Sequence, residues 1–206
     1  MEVENSKIIS PKNRKELRQW FELNGQSESY CWLVVSMREK QDTVLYLDAV
    51  EEAICFGWID STRKKLDDGR LVQRLSHRLR SGNWTELNKE RARRLERLGL
   101  MTDEGRKYLP QDIATRSFEI HPNVMAALKK DSEVYKNFMN FPELYRIVRI
   151  DTIQSRIKRN ETEIFQKRLE KFIKYTKANK MYGDWNDNGR LINHLNEAVG
   201  VINSKT

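Results

Sequence analysis

The densest set of reactive and charged side chains lies between Trp58 and Trp84, in the stretches "FGWIDSTRKK" and "QRLSHRLRSGNW". Asp60, Arg63, Arg74 and Arg78 fall inside that span. Arginine presents a planar fork that matches phosphate or carboxylate in a bidentate fashion, and tryptophan offers a flat stacking surface. Together Trp58, Asp60, Arg63, Arg74, Arg78 and Trp84 form a candidate ligand-binding set for an anion. A purely structural arrangement uses the same residues, with Trp58 and Trp84 in the core and Asp60 bridging arginines.

Other chemistry is poorly represented. There is no Gly-rich phosphate loop, HExxH, GxSxG or EF-hand loop. His77, His121 and His194 are far apart, and Cys31 and Cys55 sit singly in apolar runs without CxxC spacing. The expectation is two buried free thiols, no metal, no cofactor and no assigned catalytic residue. Asp67 and Asp68 belong to a turn, where bonds to the backbone explain them. An enzyme acting on a phosphorylated or nucleotide-like substrate has Asp60 as its one candidate acid–base group.

These residues need a scaffold. Asn13 with Glu16 makes a capping box for a helix carrying Leu17, Trp20 and Phe21, ended near Gly25. Cys31–Met37 is a short apolar run of strand formers. Tyr46, Ala49, Val50, Ala53 and Ile54 line one face of a helix, with Asp48, Glu51 and Glu52 on the opposite face. Asp68-Gly69 joins two mostly alternating runs, Trp58–Leu66 and Arg70–Leu75, into a predicted hairpin whose register sets Arg63 near Arg74. Like charges opposite one another need an offset, which Asp60 or a bound anion supplies. Thr85 caps a further helix with Leu87, Leu95 and Leu98 on one face, a Glu90–Arg94 pair and Gly99 at its end.

Beyond Pro110 the pattern turns helical. Pro122 and Pro142 open helices, and Leu144, Ile147, Ile150, Ile153 and Ile157 form an apolar stripe. Asn160 with Glu163 predicts a second capping box, before Phe165, Leu169, Phe172, Ile173 and Thr176. A short helix is expected around Leu191–Val199. The fold class is therefore α+β: residues 1–110 form a small, antiparallel-containing sheet with packed helices, residues 111–180 a helical segment, and residues 181–206 a tail.

The chain of 206 residues is 38% hydrophobic, 33% charged and 9% aromatic, a composition for a folded, heavily charged protein rather than a disordered one. Its net charge of +8 is uneven: residues 61–110 hold 14 Lys+Arg against 7 Asp+Glu, and residues 141–180 hold 11 against 5. Such blocks favour anionic partners, whether a small molecule, an acidic protein surface or, by nonspecific attraction, nucleic acid. No RNP, KH or zinc-finger pattern supports specific nucleic-acid recognition. No apolar run reaches the ~20 residues of a membrane span, and the acidic start lacks a signal-peptide core, which implies a cytoplasmic protein.

"EEAICFGWIDS", "LVQRLSHR", "NWTELNKERARRLERLGLMTDEG" and "LPQDIATRSFEIHPNVMAAL…SRIKRNETE", in that order, resemble the YdeI/OmpD-associated, or bacteriocin-protection, family over roughly residues 14–178. The resemblance implies a role in protecting bacteria against antimicrobial peptides and related envelope stress, with no reaction attached. It draws attention to Gly57-Trp58-Ile59-Asp60, Gln73-Arg74, Arg78, Trp84, Asn88, Met101 and Lys158-Arg159. Departures from the family pattern are His77 and Asn160 for proline, Gly82 for serine, and Glu163 for arginine. The last replaces a cation by an anion and weighs against anion binding by that segment.

Overall fold

The computed structural model describes residues 2–115 and 117–192, which divide into two units. The first comprises residues 1–83 and 91–111, the second residues 84–90 and 112–206. The expected helix around Leu191–Val199 lies almost wholly outside the described residues.

In the first unit, β1 (Ile8–Ile9), β2 (Tyr30–Ser36), β3 (Val44–Leu45), β4 (Trp58–Lys65) and β5 (Leu71–His77) make one mixed sheet. The path is β1-β2-β5-β4, with β3 also on β2. The β2–β5 and β4–β5 pairs are antiparallel, whereas the two-residue strands β1 and β3 join β2 in parallel. Cys31, Trp32, Leu33 and Val35 of β2 are all buried, so the strand reads as a continuous apolar run.

Helix α1 (Arg14–Asn24) starts where the capping box predicts: Asn13 Oδ1 accepts from the Glu16 N–H at 3.0 Å, and Glu16 accepts from the Lys12 N–H at 2.8 Å. It buries Leu17 and Phe21. Helix α2 (Tyr46–Cys55) corrects the amphipathic reading. Every residue from Ala49 to Cys55 is buried, Glu51 and Glu52 included at 1% exposure. Neither glutamate is on a solvated face; arginines from other elements supply their partners.

The Asp68-Gly69 hairpin forms as expected, Gly69 taking φ +86°. Its register does not. Asp60 pairs with Leu75, but Arg63 pairs with Gln73, so Ser61 and Thr62 bulge opposite Arg74. Helix α3 (Glu86–Arg97) is capped by Thr85, whose Oγ1 accepts from the Asn88 N–H at 3.2 Å. Its first residues group with the second unit and the rest with the first. Helix α4 (Asp103–Arg106) follows, with Thr102 as its N-cap.

The second unit holds α5 (Pro122–Lys129), α6 (Ser132–Asn140), α7 (Glu143–Gln154) and α8 (Thr162–Lys177). Pro122 occupies the first turn of α5, and the His121 imidazole caps it by accepting from the Asn123 N–H at 3.2 Å. Asp131 splits what reads as one helix into α5 and α6, because its carboxylate accepts from the N–H groups of Glu133 and Val134 and starts a new helix. On α7 the buried residues are Tyr145, Val148, Ile150 and Ile153, so the apolar face is rotated from the predicted stripe. The second capping box does not form. Asn160 adopts φ +56°, Glu161 takes the cap position, and α8 begins at Thr162. Val124, Leu128, Val134, Phe138, Tyr145, Ile150, Phe165 and Phe172 belong to the core of this unit.

Candidate functional site

The bulge in β4 decides which of the predicted residues meet. Side chains alternate across a strand, so Trp58, Asp60, Leu75, Gln73 and Arg63 share one face of the sheet, and Arg74 lies on the other. Trp58 is a core residue: it is fully buried, its Nε1 donates to the Gly25 carbonyl at 3.1 Å, and it packs edge-on against Trp20 and Phe21. His77, whose ring lies 4.7 Å from that of Trp58, has Nε2 3.0 Å from the Glu28 carbonyl. Arg74 stacks over the Tyr30 ring at 4.7 Å, and Tyr30 donates to Glu4. The expected meeting of Arg63 with Arg74 therefore does not occur, and Asp60 has no opposed pair to bridge there. Trp84 is half-buried in the second unit.

What does converge is a group around Tyr46, the first residue of α2. Its hydroxyl donates to Asp60 Oδ2 at 2.8 Å, and the Arg63 guanidinium sits 5.6 Å from its ring centroid. Burial, followed by the Asp60 carboxylate, pushes the Tyr46 phenol well above its ordinary range, while Arg91 and Arg63 pull the other way. Arg91 of α3 thus belongs to the group, although its sequence setting, "RARRLER", reads only as a charged helix face. Arg78 completes it. The residue is 3% exposed, its N–H donates to the Gly57 carbonyl at 2.9 Å, and burial pushes its guanidinium down to about 10 against the opposing pull of Asp60. Asp60 acts on both Tyr46 and Arg78.

Arg63 is held by neutral groups: besides the Tyr46 ring, its Nη1 lies 3.0 Å from the Met37 sulfur. Met37 also lines a cleft of about 400 Å³ together with Ser10, Ser36, Lys40, Thr43 and Arg70. That volume lies in the range of small-molecule sites, and its lining carries hydroxyls, two cations and the Asp42 carboxylate.

A second ionic group occupies the interior of the same unit. Arg14 Nε donates to Glu52 at 2.7 Å, and Arg18 Nη1 to the other Glu52 oxygen at 3.0 Å. Arg14 Nη1 and Arg94 Nη1 reach the two Glu51 oxygens at 2.5 and 2.9 Å. Arg18 also donates to the Leu100 carbonyl. Burial alone pushes the Arg14 guanidinium down, but Glu51 and Glu52 more than reverse it. Carboxylates so fully engaged are poor acid–base catalysts, and the group reads as an interior clamp. One signal was available: Arg14 and Arg18 stand four apart on α1, matching the adjacent glutamates of α2.

The buried Cys31 and Cys55 are free, and burial pushes each thiol up to about 12, as inert core thiols require. Among the described residues no cluster of His, Cys, Asp and Glu has metal-ligand geometry, and no helix is long and apolar enough to cross a membrane. In the second unit, Phe118, Ile120, Phe138 and Arg146 line a smaller cavity of about 160 Å³.

Residues 117–179 match the model of the bacteriocin-protection, YdeI or OmpD-associated family. The matched stretch holds α5 to α8 and is less than half of the chain. Residues 9–108 match a separate model, a domain of unknown function (DUF8412). No curated protein and no solved structure matches the chain. The two matches divide the motifs of the resemblance. "SRIKRNETE" and "EIHPNVMAAL" lie in the stretch that matches the bacteriocin-protection model, whereas Gly57–Asp60, Gln73-Arg74, Arg78, Trp84, Asn88 and Met101 lie in the stretch that matches the domain of unknown function. Of these, Gln73 and Met101 are buried, at 2% and 4% exposure.

Proposed function

We propose that the protein serves a protective, stress-related role in the cytoplasm by binding a small anionic ligand on its first unit, at Arg63 and the groups around Tyr46. The observation that carries this reading is the setting of Arg63. Its side chain is exposed, yet its guanidinium is positioned by a ring face and a sulfur, not by a carboxylate. Such a cation keeps its charge available, and Arg78 and Arg91 add positive potential around Asp60 and Tyr46. The cleft that shares Met37 supplies ligand-sized space, with Lys40 on its wall beside Asp42, while Arg70 there is paired with Asp68. Arg74, on the other face, and Trp58, in the core, have no direct part in it; Trp84 has none assigned. The bacteriocin-protection match over residues 117–179 is what supports the protective role.

The test is a thermal-shift panel of the full chain with inorganic phosphate, nucleotides, phosphosugars and dicarboxylates. A ligand at about 100 times its Kd contributes roughly 2.7 kcal/mol, enough for a shift of several degrees. At least one anion is expected to raise the Tm, and Arg63→Gln, an exposed substitution, to abolish an identifiable part of that shift. A panel without any stabilising anion, or an Arg63→Gln variant responding as the wild type does to every anion, overturns the reading.

A further inference from the structure

The bacteriocin-protection domain gathers cations of its own, where α7, the turn after it and α8 meet. Arg168 of α8 donates from Nη1 to the Thr152 carbonyl at 2.6 Å, which fixes its guanidinium beside the last turn of α7. Arg149 lies three residues before Thr152, and Arg156 four after it, just past the helix end. That spacing puts both on the Thr152 side, one turn to either hand of Arg168. Three guanidiniums therefore share one small region.

The direct partners of Arg149 and Arg168 orient them without neutralising them. Arg149 donates to the Asp184 main-chain carbonyl and lies 5.6 Å from the Tyr182 ring centroid. This requires Gly183, which holds φ +69° and where a Cβ would stand 2.6 Å from Arg149 Nη1. Arg156 alone has a carboxylate, Glu161 at 2.7 Å. The Nε groups of Arg149 and Arg156 are buried and make no hydrogen bond. Burial, then the neighbouring Arg156, pushes Arg168 below its ordinary range, with Glu161 opposing. Three cations facing the single carboxylate of Glu161 cost stability unless a further anion joins them.

We propose that Arg149, Arg156 and Arg168 form a second anion site, for the dianionic head of a phosphate monoester or free phosphate. Arginine forks presented together suit a tetrahedral oxyanion, and the neutral anchors of Arg149 and Arg168 leave their positive charge in place beside the Arg156–Glu161 pair. The departure at Glu163 does not reach this site, because Glu163 is exposed on the first turn of α8 and interacts with Lys167 instead. The site is independent of Arg63, in chain position and in the residues used.

The test is NMR of the arginine Nε–Hε groups in the full chain, titrated with inorganic phosphate and, separately, glucose 6-phosphate. Saturable shifts at Arg149 and Arg156 are expected with both. Arg168→Gln should weaken the affinity read there by about tenfold, the worth of one charge-assisted bond, and Arg63→Gln should leave it unchanged. Equal affinity for the two probes assigns recognition to the phosphate alone, and tighter glucose 6-phosphate assigns part of it to the ester. If Arg168→Gln does not fold, Arg149→Gln read at Arg156 replaces it with the same expectation. No saturable shift with either probe, or undiminished affinity in the folded variant, overturns the proposal. An Arg63→Gln variant that loses only the thermal response leaves this site standing, and the converse holds for Arg168→Gln.

Discussion

The buried Glu51 and Glu52 show most directly how single residues govern this fold. A carboxylate at 1% exposure survives only with cations in hydrogen-bonding contact, and Arg14, Arg18 and Arg94 provide them. Removing one carboxylate leaves guanidiniums without their anion inside the protein. Glu52→Gln is expected to cost about 3–5 kcal/mol, measured by urea unfolding, and a cost below about 1 kcal/mol would show the clamp to be dispensable. The two thiols set an alkaline limit. Burial pushes the folded Cys31 and Cys55 thiols up to about 12, whereas an unfolded thiol loses its proton near its ordinary value of 9.0. Between those values the unfolded chain binds fewer protons, so stability falls as pH rises. Replacing both by alanine should flatten that slope in denaturation curves taken across the range. In the native protein at pH 8 both thiols should react slowly with a thiol reagent, and rapidly once it is unfolded.

Elements were legible where one local signal dominates. The Asn13–Glu16 box, the apolar run of β2, the Asp68-Gly69 turn and Thr85 each placed an element correctly. Misreadings arose where a competing local bond or a distant partner wins. Asp131 restarts a helix that periodicity runs through, and Asn160 turns left-handed where a cap was expected. The parallel two-residue strands β1 and β3 leave no pattern to read. For the candidate site, the sequence offers Asp60, Arg63 and Arg78 but not Tyr46 or Arg91, because those two stand on α2 and α3 and join the group only through contacts distant in sequence. Gly57 is the element-scale residue open to a direct test. It leads from α2 into β4 at φ +75°, and a Cβ there would lie 2.5 Å from the Tyr108 ring. Gly57→Ala is expected to lower stability by at least about 1 kcal/mol, combining strain with overpacking, as a drop in Tm would report.

Across the whole chain, the α+β fold class and the uneven charge are legible in the sequence, but at coarse resolution. The cation excesses of residues 61–110 and 141–180 fall one in each matched region, and each contains a proposed anion site. Composition could not say that Arg74 faces away from Arg63, or that Arg168 reaches a carbonyl of α7, since both depend on pairings distant in sequence. One consequence of the β4 bulge concerns self-association. Among the described residues β4 is the last strand of its sheet, so its free margin is a template on which another chain can add. The bulge at Ser61 and Thr62 breaks the regular spacing such addition needs, and Lys64 and Lys65 bring charge to any copy approaching it. Deleting Thr62 restores regular pairing without turning the strand over, and combining this with Lys65→Val should raise light scattering on mild heating well above that of the wild type. The irregularity that sets Asp60 and Arg63 on one face of the sheet is then also what keeps concentrated solutions of this protein clear.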